Sequence, residues 1–413
     1  MTTSRYSRSQ QLDRQARALF PGGHHLSGRP LIDAERSPMY FERGSGSMIV
    51  DVDDHVYVDF IMSYGAVLLG HANREVDEAA IDQLRRGGLL SLNHPLHVKF
   101  LETLLPRFPG AEMGVFLKTG SEATTAALRI ARRATGRRKV IRAGYHGWHD
   151  WCVPLEPSVP GGLDEQVLEF RADTPASLGG VLAAHPGEIA AVIMAPEMIV
   201  PLDPAVFREI QALARAAGAV FVLDEVKTAI RTRPGTAQQL LGIRPDLTTV
   251  SKALGNGWPI AAVVGTRAVM ESARGLHLSA TYHGDTAAMA AALATLAIVD
   301  RDDVVDHVWR LGGLLIDGLG AAGARHGVPA KAYGEPTPAM PFLRFTHPDP
   351  RTNDAMIATF YAEVLARGIL LHPRHLWFIS AAHTGAEIDR TLDACDHAFA
   401  EVARVHGAAM TGR

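Results

Sequence analysis

From about residue 115 to residue 265 the chain repeats one pattern: a short apolar run, a turn, then a longer amphipathic stretch. Val115 to Lys118, Lys139 to Arg142, Ala190 to Met194, Ala219 to Leu223, Leu247 to Val250 and Ala261 to Val264 are short, apolar and bounded by turn residues, and read as strands. Between them, Glu122 to Thr135, stopped by Gly136, has helical spacing, as does Pro204 to Ala217 behind Asp203 as N-cap. Such alternation predicts an α/β fold whose mostly parallel sheet is covered on both faces.

The flanks read differently. Met1 to Ala18 is polar and Arg-rich, an amphipathic helix without the apolar core of a secretion signal. After the turn Pro21-Gly22-Gly23, Met48 to Val52 and Val56 to Phe60 alternate around Asp53-Asp54 as a hairpin. The last hundred residues read as long helix, strand at Phe342 to Phe345, helix, two short strands and helix. A chain of 413 residues has room for two or three domains. The expected division is an N-terminal segment, residues 1–54, a large domain, 55–305, and a C-terminal small domain, 306–413.

A net charge of −3 with mixed signs gives no nucleic-acid surface, and the longest apolar runs, such as Ala288 to Val299, are too short to span a bilayer. Two cysteines, Cys152 and Cys395, give neither a disulfide framework nor a cysteine metal site. A cytoplasmic protein is the expectation.

Four segments at predicted strand ends carry the chemistry. Val220 to Leu223 leads into Asp224, at the sheet edge where ligands of open α/β folds bind. Leu247 to Val250 leads through Ser251 into Lys252, followed by Gly255-Asn256-Gly257; a lysine ending a core strand is rare, and burial makes its amine nucleophilic. Lys118-Thr119-Gly120-Ser121-Glu122 runs from strand into helix, where backbone N–H groups form an anion site. Gly144-Tyr145-His146-Gly147 puts an aromatic ring on a glycine-flanked turn. Singly, each has an ordinary structural explanation: a turn-capping Asp, a lysine reaching out from a strand edge, a capped helix and a surface Tyr. Their conjunction supplies what pyridoxal 5'-phosphate (PLP) requires, namely an amine for the aldehyde, an anion for the ring nitrogen, a flat neighbour and a phosphate cradle.

The sequence resembles the class III, fold-type I PLP-dependent aminotransferases, in the branch of glutamate-1-semialdehyde 2,1-aminomutase and the β-amino-acid aminotransferases. Matches run from Pro21-Gly22-Gly23 to the final helix. They include Asp51-Val52-Asp53, Leu69-Gly70-His71, Thr119 to Ala123, Tyr145-His146-Gly147, Asp224-Glu225-Val226, Pro245-Asp246-Leu247, Lys252 and Ala280-Thr281-Tyr282. The resemblance implies a large domain with a seven-stranded sheet, a smaller α+β domain from both termini, and a homodimer with active sites at the interface. It implies that Lys252 and Asp224 are catalytic, Lys252 holding PLP as a Schiff base. Gly120, Ser121, Tyr145, His146, Val226 and Thr281 would complete the cofactor site, with Val226 opposite Tyr145 on the ring and Thr281 reaching the phosphate in the partner subunit. Arg29, Arg374 and Tyr64 would contact substrate.

Three departures bear on the reaction. Ala195-Pro196 stands where the family has Glu-Pro, with Glu197 displaced; His283-Gly284-Asp285 replaces Ser-Gly-Asn; and the segment from Asp150 to Leu168, a gate in the aminomutase, is shortened. An aminomutase must retain its half-reacted intermediate, so the short gate favours an aminotransferase with separate amino donor and keto or aldehyde acceptor, working by ping-pong kinetics. The aminomutase reaction is the alternative, as is amination of a sugar-like ketone in a pocket lined by His24, His25, His94 and His283. A PLP-fold binding protein without catalysis would be expected to lack Lys252 or Asp224.

Overall fold

In the computed structural model, residues 5–24, 31, 37–38, 40–153, 158–159, 162–163, 165–197, 202–334 and 336–410 are described. Their strands are β1 (Phe41–Ser45), β2 (Met48–Asp51), β3 (Val56–Asp59), β4 (Met113–Leu117), β5 (Lys139–Ala143), β6 (Val167–Glu169), β7 (Ile189–Met194), β8 (Val220–Asp224), β9 (Leu247–Val250), β10 (Ala261–Gly265), β11 (Ala330–Tyr333), β12 (Phe342–Phe345) and β13 (Ile369–Leu370). The chain divides into two compact units. One is Met1–Asn73 with His307–Gly334 and Pro338–Arg413; the other is Arg74–Asp306 with Glu335–Thr337.

The central unit holds a seven-stranded sheet in the order β4-β10-β9-β8-β7-β5-β6. Strands β6, β5, β7, β8 and β9 pair in parallel, while β10 runs antiparallel to both β9 and β4. The reversal follows from chain length: Ser251 to Ile260 between β9 and β10 contains only a 3-10 turn, Lys252–Gly255, too little for a crossover helix. Alternate residues of one strand serve opposite faces. Val220 and Val222 pack with Ala127, Ile130 and the rest of the helix Gly120–Thr135, whereas Phe221 and Leu223 pack with Phe207, Ile210 and Ala214 of the helix Pro204–Ala216. Burial on both faces explains why these strands read as continuous apolar runs rather than alternating ones.

The predicted caps form. Asp203 accepts from Ala205 N at 2.6 Å, and Gly136 ends its helix in the left-handed conformation at φ 68°. At the start of that helix Thr119 and Glu122 form a reciprocal capping box, with Glu122 N donating to Thr119 Oγ1 at 3.2 Å and Thr119 N to Glu122 Oε2 at 2.8 Å.

In the terminal unit β2 and β3 form the expected hairpin, Asp54 taking φ 64° in its turn. Strand β3 also pairs in parallel with β13, Val58 opposite Ile369, so this unit continues to Asn73 rather than ending at residue 54. The C-terminal pattern differs from expectation in two places. Phe342–Phe345 has an antiparallel partner, β11, and among the described residues one strand, β13, stands where two short ones were expected before the helix Gly385–Met410.

Candidate active site

All four chemistry-bearing segments meet the same edge of the central sheet, because β4, β5, β8 and β9 share one direction and each segment follows a strand's carboxyl end.

Asp224, the last residue of β8, is 5% exposed. Its Oδ1 accepts from Thr249 Oγ1 at 3.0 Å and from Val226 N at 3.1 Å, and its Oδ2 lies 2.8 Å from His146 Nδ1. Burial pushes this carboxyl up, but the bond and charge of His146, with the donors Val226 N and Thr249, outweigh it and hold the group below the ordinary carboxylate range. His146 is fixed from its other side by Ala143 O, 3.1 Å from Nε2, and stacks on Trp151 with ring centroids 6.0 Å apart. The next residue, Glu225, takes N–H bonds from Ala237 and Gln238 and pins the loop after β8.

Lys252 opens the turn after β9 with φ 48°, a left-handed backbone unusual for a non-glycine residue and common at functional sites. Burial first, then the neighbouring charge of Lys227, brings its amine down to about 8. Such an amine is partly neutral at physiological pH.

Glycines shape the cradle between these groups. A Cβ on Gly120 would lie 2.8 Å from Val226 Cγ1, so Val226 packs directly on the helix start. Gly147 has φ +117°, and a Cβ there would stand 2.3 Å from Ser121 Oγ. Thr124 Oγ1 donates to His146 O at 2.8 Å, which ties the turn bearing Tyr145 to the same helix, and the Tyr145 ring is left 65% exposed. Gly147→Ala is therefore expected to weaken cofactor affinity by about five- to a hundredfold, since a steric cost of about 1–3 kcal/mol falls on the helix start at Ser121. Equilibrium titration of cofactor-free protein followed by absorbance measures this; an unchanged affinity contradicts the role of this crossing.

Thr281 is exposed, in a turn ahead of the helix Thr286–Arg301. Tyr64 and Arg374 lie in the terminal unit. Tyr64 sits in a run of left-handed residues, Met62 to Gly65, anchored by Asp59 Oδ1, which accepts from Ile61 N and Met62 N. Its ring meets those of His372 and His375 at 5.8 and 5.1 Å, and Arg374 N donates to His372 Nδ1 at 3.0 Å. These two candidates are thus neighbours. Arg29 and His25 lie outside the described residues.

Two groups escaped the sequence reading. Thr249 completes the hydrogen bonding of Asp224, and Lys227 forms a largely buried ion pair with Glu197 at 2.6 Å. The available signal for Lys227 was its place three residues beyond the strand-ending Asp224.

The family model described as aminotransferase class-III matches residues 32–384. The chain belongs to the class III aminotransferases. These enzymes use PLP, and the residues at the sheet edge fit that cofactor: an amine that is partly neutral, a buried carboxylate with oxygen lone pairs to spare, and a glycine cradle at a helix start. Among curated relatives, the 3-aminobutyryl-CoA aminotransferase of Cloacimonas acidaminovorans is 32% identical over 97% of this chain and 98% of its own. The 2'-deamino-2'-hydroxyneamine transaminase of Streptomyces kanamyceticus is 40% identical over 72% of this chain and 76% of its own. The glutamate-1-semialdehyde 2,1-aminomutase of Chloroflexus aggregans is 33% identical over 97% of this chain and 100% of its own. Among solved structures, the PLP internal aldimine form of the Sphingopyxis sp. MTA144 FumI protein superposes with a TM-score of 0.91 at 30% identity, covering 97% of this chain and 98% of that one. The α/β sheet is thus that of the fold-type I transferases, and the chain is a PLP-dependent aminotransferase.

Proposed function

We propose that this class III aminotransferase moves an amino group from a carboxylate-bearing amino donor to a keto or aldehyde acceptor, with Lys252 as the cofactor-bearing lysine and proton carrier. The observation that carries the reading is the pairing of a lowered amine, Lys252, with a buried, depressed carboxyl, Asp224, at the ends of adjacent paired strands. Bound PLP supplies an aldehyde that captures amines and a protonated ring that draws electrons from the substrate carbon. Asp224 would keep that ring nitrogen protonated. His146 and Thr249 fix the orientation of Asp224, while Tyr145 and Val226 would cover the two ring faces and Gly120 and Ser121 would offer helix-start N–H groups to the phosphate. Lys252 Nζ, when neutral, takes the proton from the carbon bearing the amino group and returns it on the way to product.

The proposed assembly is a homodimer in which Thr281 reaches the phosphate site of the second subunit. Its exposure supports this, as does an apolar surface of Leu89, Leu90, Leu92 and Val98, which a monomer would leave in water. We place the enzyme in the cytoplasm. Among the described residues no helix is long and apolar enough to cross a membrane, and both cysteines are free and buried.

The test is a half-reaction screen. Amino acids, β-amino acids and amino sugars are added singly to the yellow holoenzyme, and the loss of its long-wavelength band is matched to released keto product. One equivalent of keto product per site is expected for a true donor; return of the amine to the same molecule identifies an aminomutase. A second reading, amination of a sugar-like ketone, is supported by the 40% identity to the relative named 2'-deamino-2'-hydroxyneamine transaminase.

Arg374→Ala separates these readings. A guanidinium–carboxylate contact is worth roughly 1.5–3 kcal/mol, so its loss is expected to lower kcat/KM for carboxylate donors by about ten- to a hundredfold. Cofactor absorbance stays as in the wild type, and amino-sugar turnover is nearly indifferent. Equal kinetics on every carboxylate substrate removes Arg374 from the site.

A further inference from the structure

The proposed function uses Lys252 and Asp224 but leaves a second lysine beside them unexplained. Strands β7, β8 and β9 lie side by side, with Met194 opposite Leu223 and Asp224 opposite Thr249. Three residues beyond Met194, Asp224 and Thr249 stand Glu197, Lys227 and Lys252. The segments leaving the carboxyl ends of three neighbouring strands therefore carry, in order, an acid, an amine and an amine. Glu197 and Lys227 are joined at 2.6 Å, with side chains 5% and 14% exposed. Among the described residues Glu197 Oε2 is buried without a hydrogen-bond partner, so Lys227 is its counter-charge there.

A buried ion pair is weak evidence for stability, because apolar side chains of similar volume often serve as well or better. This one stands next to the amine that the chemistry needs neutral. The charges around Lys252 are Lys227, Glu197, Arg231 and Asp224, two of each sign. Lys227 is the strongest of them, and after burial it is the next cause that disfavours an ammonium at Lys252. Lys227 keeps its own proton: burial pulls it down, but the charge and hydrogen bond of Glu197 more than restore it, with help from Asp224 and Tyr145.

We propose that Lys227, clamped by Glu197, is a positioning residue for Lys252, a fixed cation that disfavours the ammonium form of the free ε-amine and leaves more of it able to accept the substrate proton. The proposal rests on the reading of Lys252 as the cofactor-bearing lysine. Burial and the charge of Lys227 act together on this amine, burial being the larger cause. An ordinary lysine is neutral in only roughly one molecule per thousand near pH 7.4. An amine titrating at about 8 is neutral in roughly one in five.

The test reads the amine itself on cofactor-free full-length protein, by site-resolved trace acetylation and mass spectrometry from pH 6 to 11. Wild-type Lys252 is expected to show a midpoint near 8. Lys227→Met is expected to raise it by about one unit, a roughly tenfold loss of reactive amine at neutral pH, and Lys227→Arg to restore the wild-type midpoint. The acid limb of kcat against pH, measured on loaded enzyme, is expected to move with it. Lys227→Met leaves Glu197 buried and unpaired, so the double variant Glu197→Leu/Lys227→Met, which removes both charges, decides if the single variant does not fold. Its midpoint still lies above the wild type's, because Lys227 outweighs Glu197 at Lys252. An unmoved midpoint in the folded variant overturns the proposal. Borohydride fixing of the cofactor separates the two possible failures: fixing at another residue overturns the site reading, whereas fixing at Lys252 with an unmoved midpoint overturns only the role of Lys227.

Discussion

Lys252→Ala is expected to leave a folded protein that binds PLP but never holds it covalently. Borohydride then fixes no cofactor to the chain, and turnover falls by roughly 10²–10⁴-fold from lost proton transfer alone. The fold tolerates the change because alanine meets the same φ of 48° that lysine already meets there, so no new backbone strain arises. Stability shifts with pH in a definite sense. The folded state holds this amine at about 8, below its unfolded value, so burying it costs stability at pH below about 8, and the cost fades as pH rises toward the ordinary lysine range. The variant is therefore expected to melt above the wild type at pH 7 and to converge with it near pH 10. Intact-mass analysis after reduction and melting curves across pH check both parts. A stoichiometric adduct in the variant places the cofactor on another residue.

Asp224→Asn carries the second large effect. The side-chain shape survives, but the negative charge beside the ring nitrogen is lost, and that nitrogen gives up its proton near neutral pH because its charged form has no partner. Losing one fixed electrostatic partner of the reacting system costs about 2.7–4 kcal/mol in the transition state, about a 10²- to 10³-fold loss of kcat. The phosphate and stacking contacts remain, so cofactor stays bound. Asp224→Ala is expected to lose stability as well, since it strips the partners of His146 Nδ1, Thr249 Oγ1 and Val226 N in a buried place. Here the sign is the usual carboxylate one. The folded state depresses Asp224, so its contribution is fully present above the unfolded value of about 4 and is lost as pH falls through the folded one. Relative to wild type, the stability of the alanine variant should therefore fall less steeply with acid below about pH 4. Near-normal turnover of Asp224→Asn with fully bound cofactor would sink the pairing of Asp224 with the ring.

Local signals in the sequence determined the alternation of strand and helix, the capping box of Thr119 and Glu122, the Asp203 cap, the Gly136 stop, and the placement of Asp224 and Lys252 at strand ends. Each depends on residues within a few positions of one another, and a turn, a cap or an apolar run carries its own period and punctuation. Other features needed partners distant in the chain. Strand β6 has three residues and exists because β5 pairs with it; β11 exists because β12 does; and β13, two residues long, extends the terminal unit by pairing with β3. Backbone pairing of that kind leaves almost no local trace, since so short a strand is specified by its neighbour's free N–H and C=O groups. The same holds for the electrostatics. The sequence shows an acid and a lysine, but only the tertiary structure seats His146 and Thr249 on Asp224 and sets the ion pair of Glu197 and Lys227 in the row that ends at Lys252. A protonation state is set by burial and by charges a few ångströms away in space, and those distances exist only once the sheet has formed.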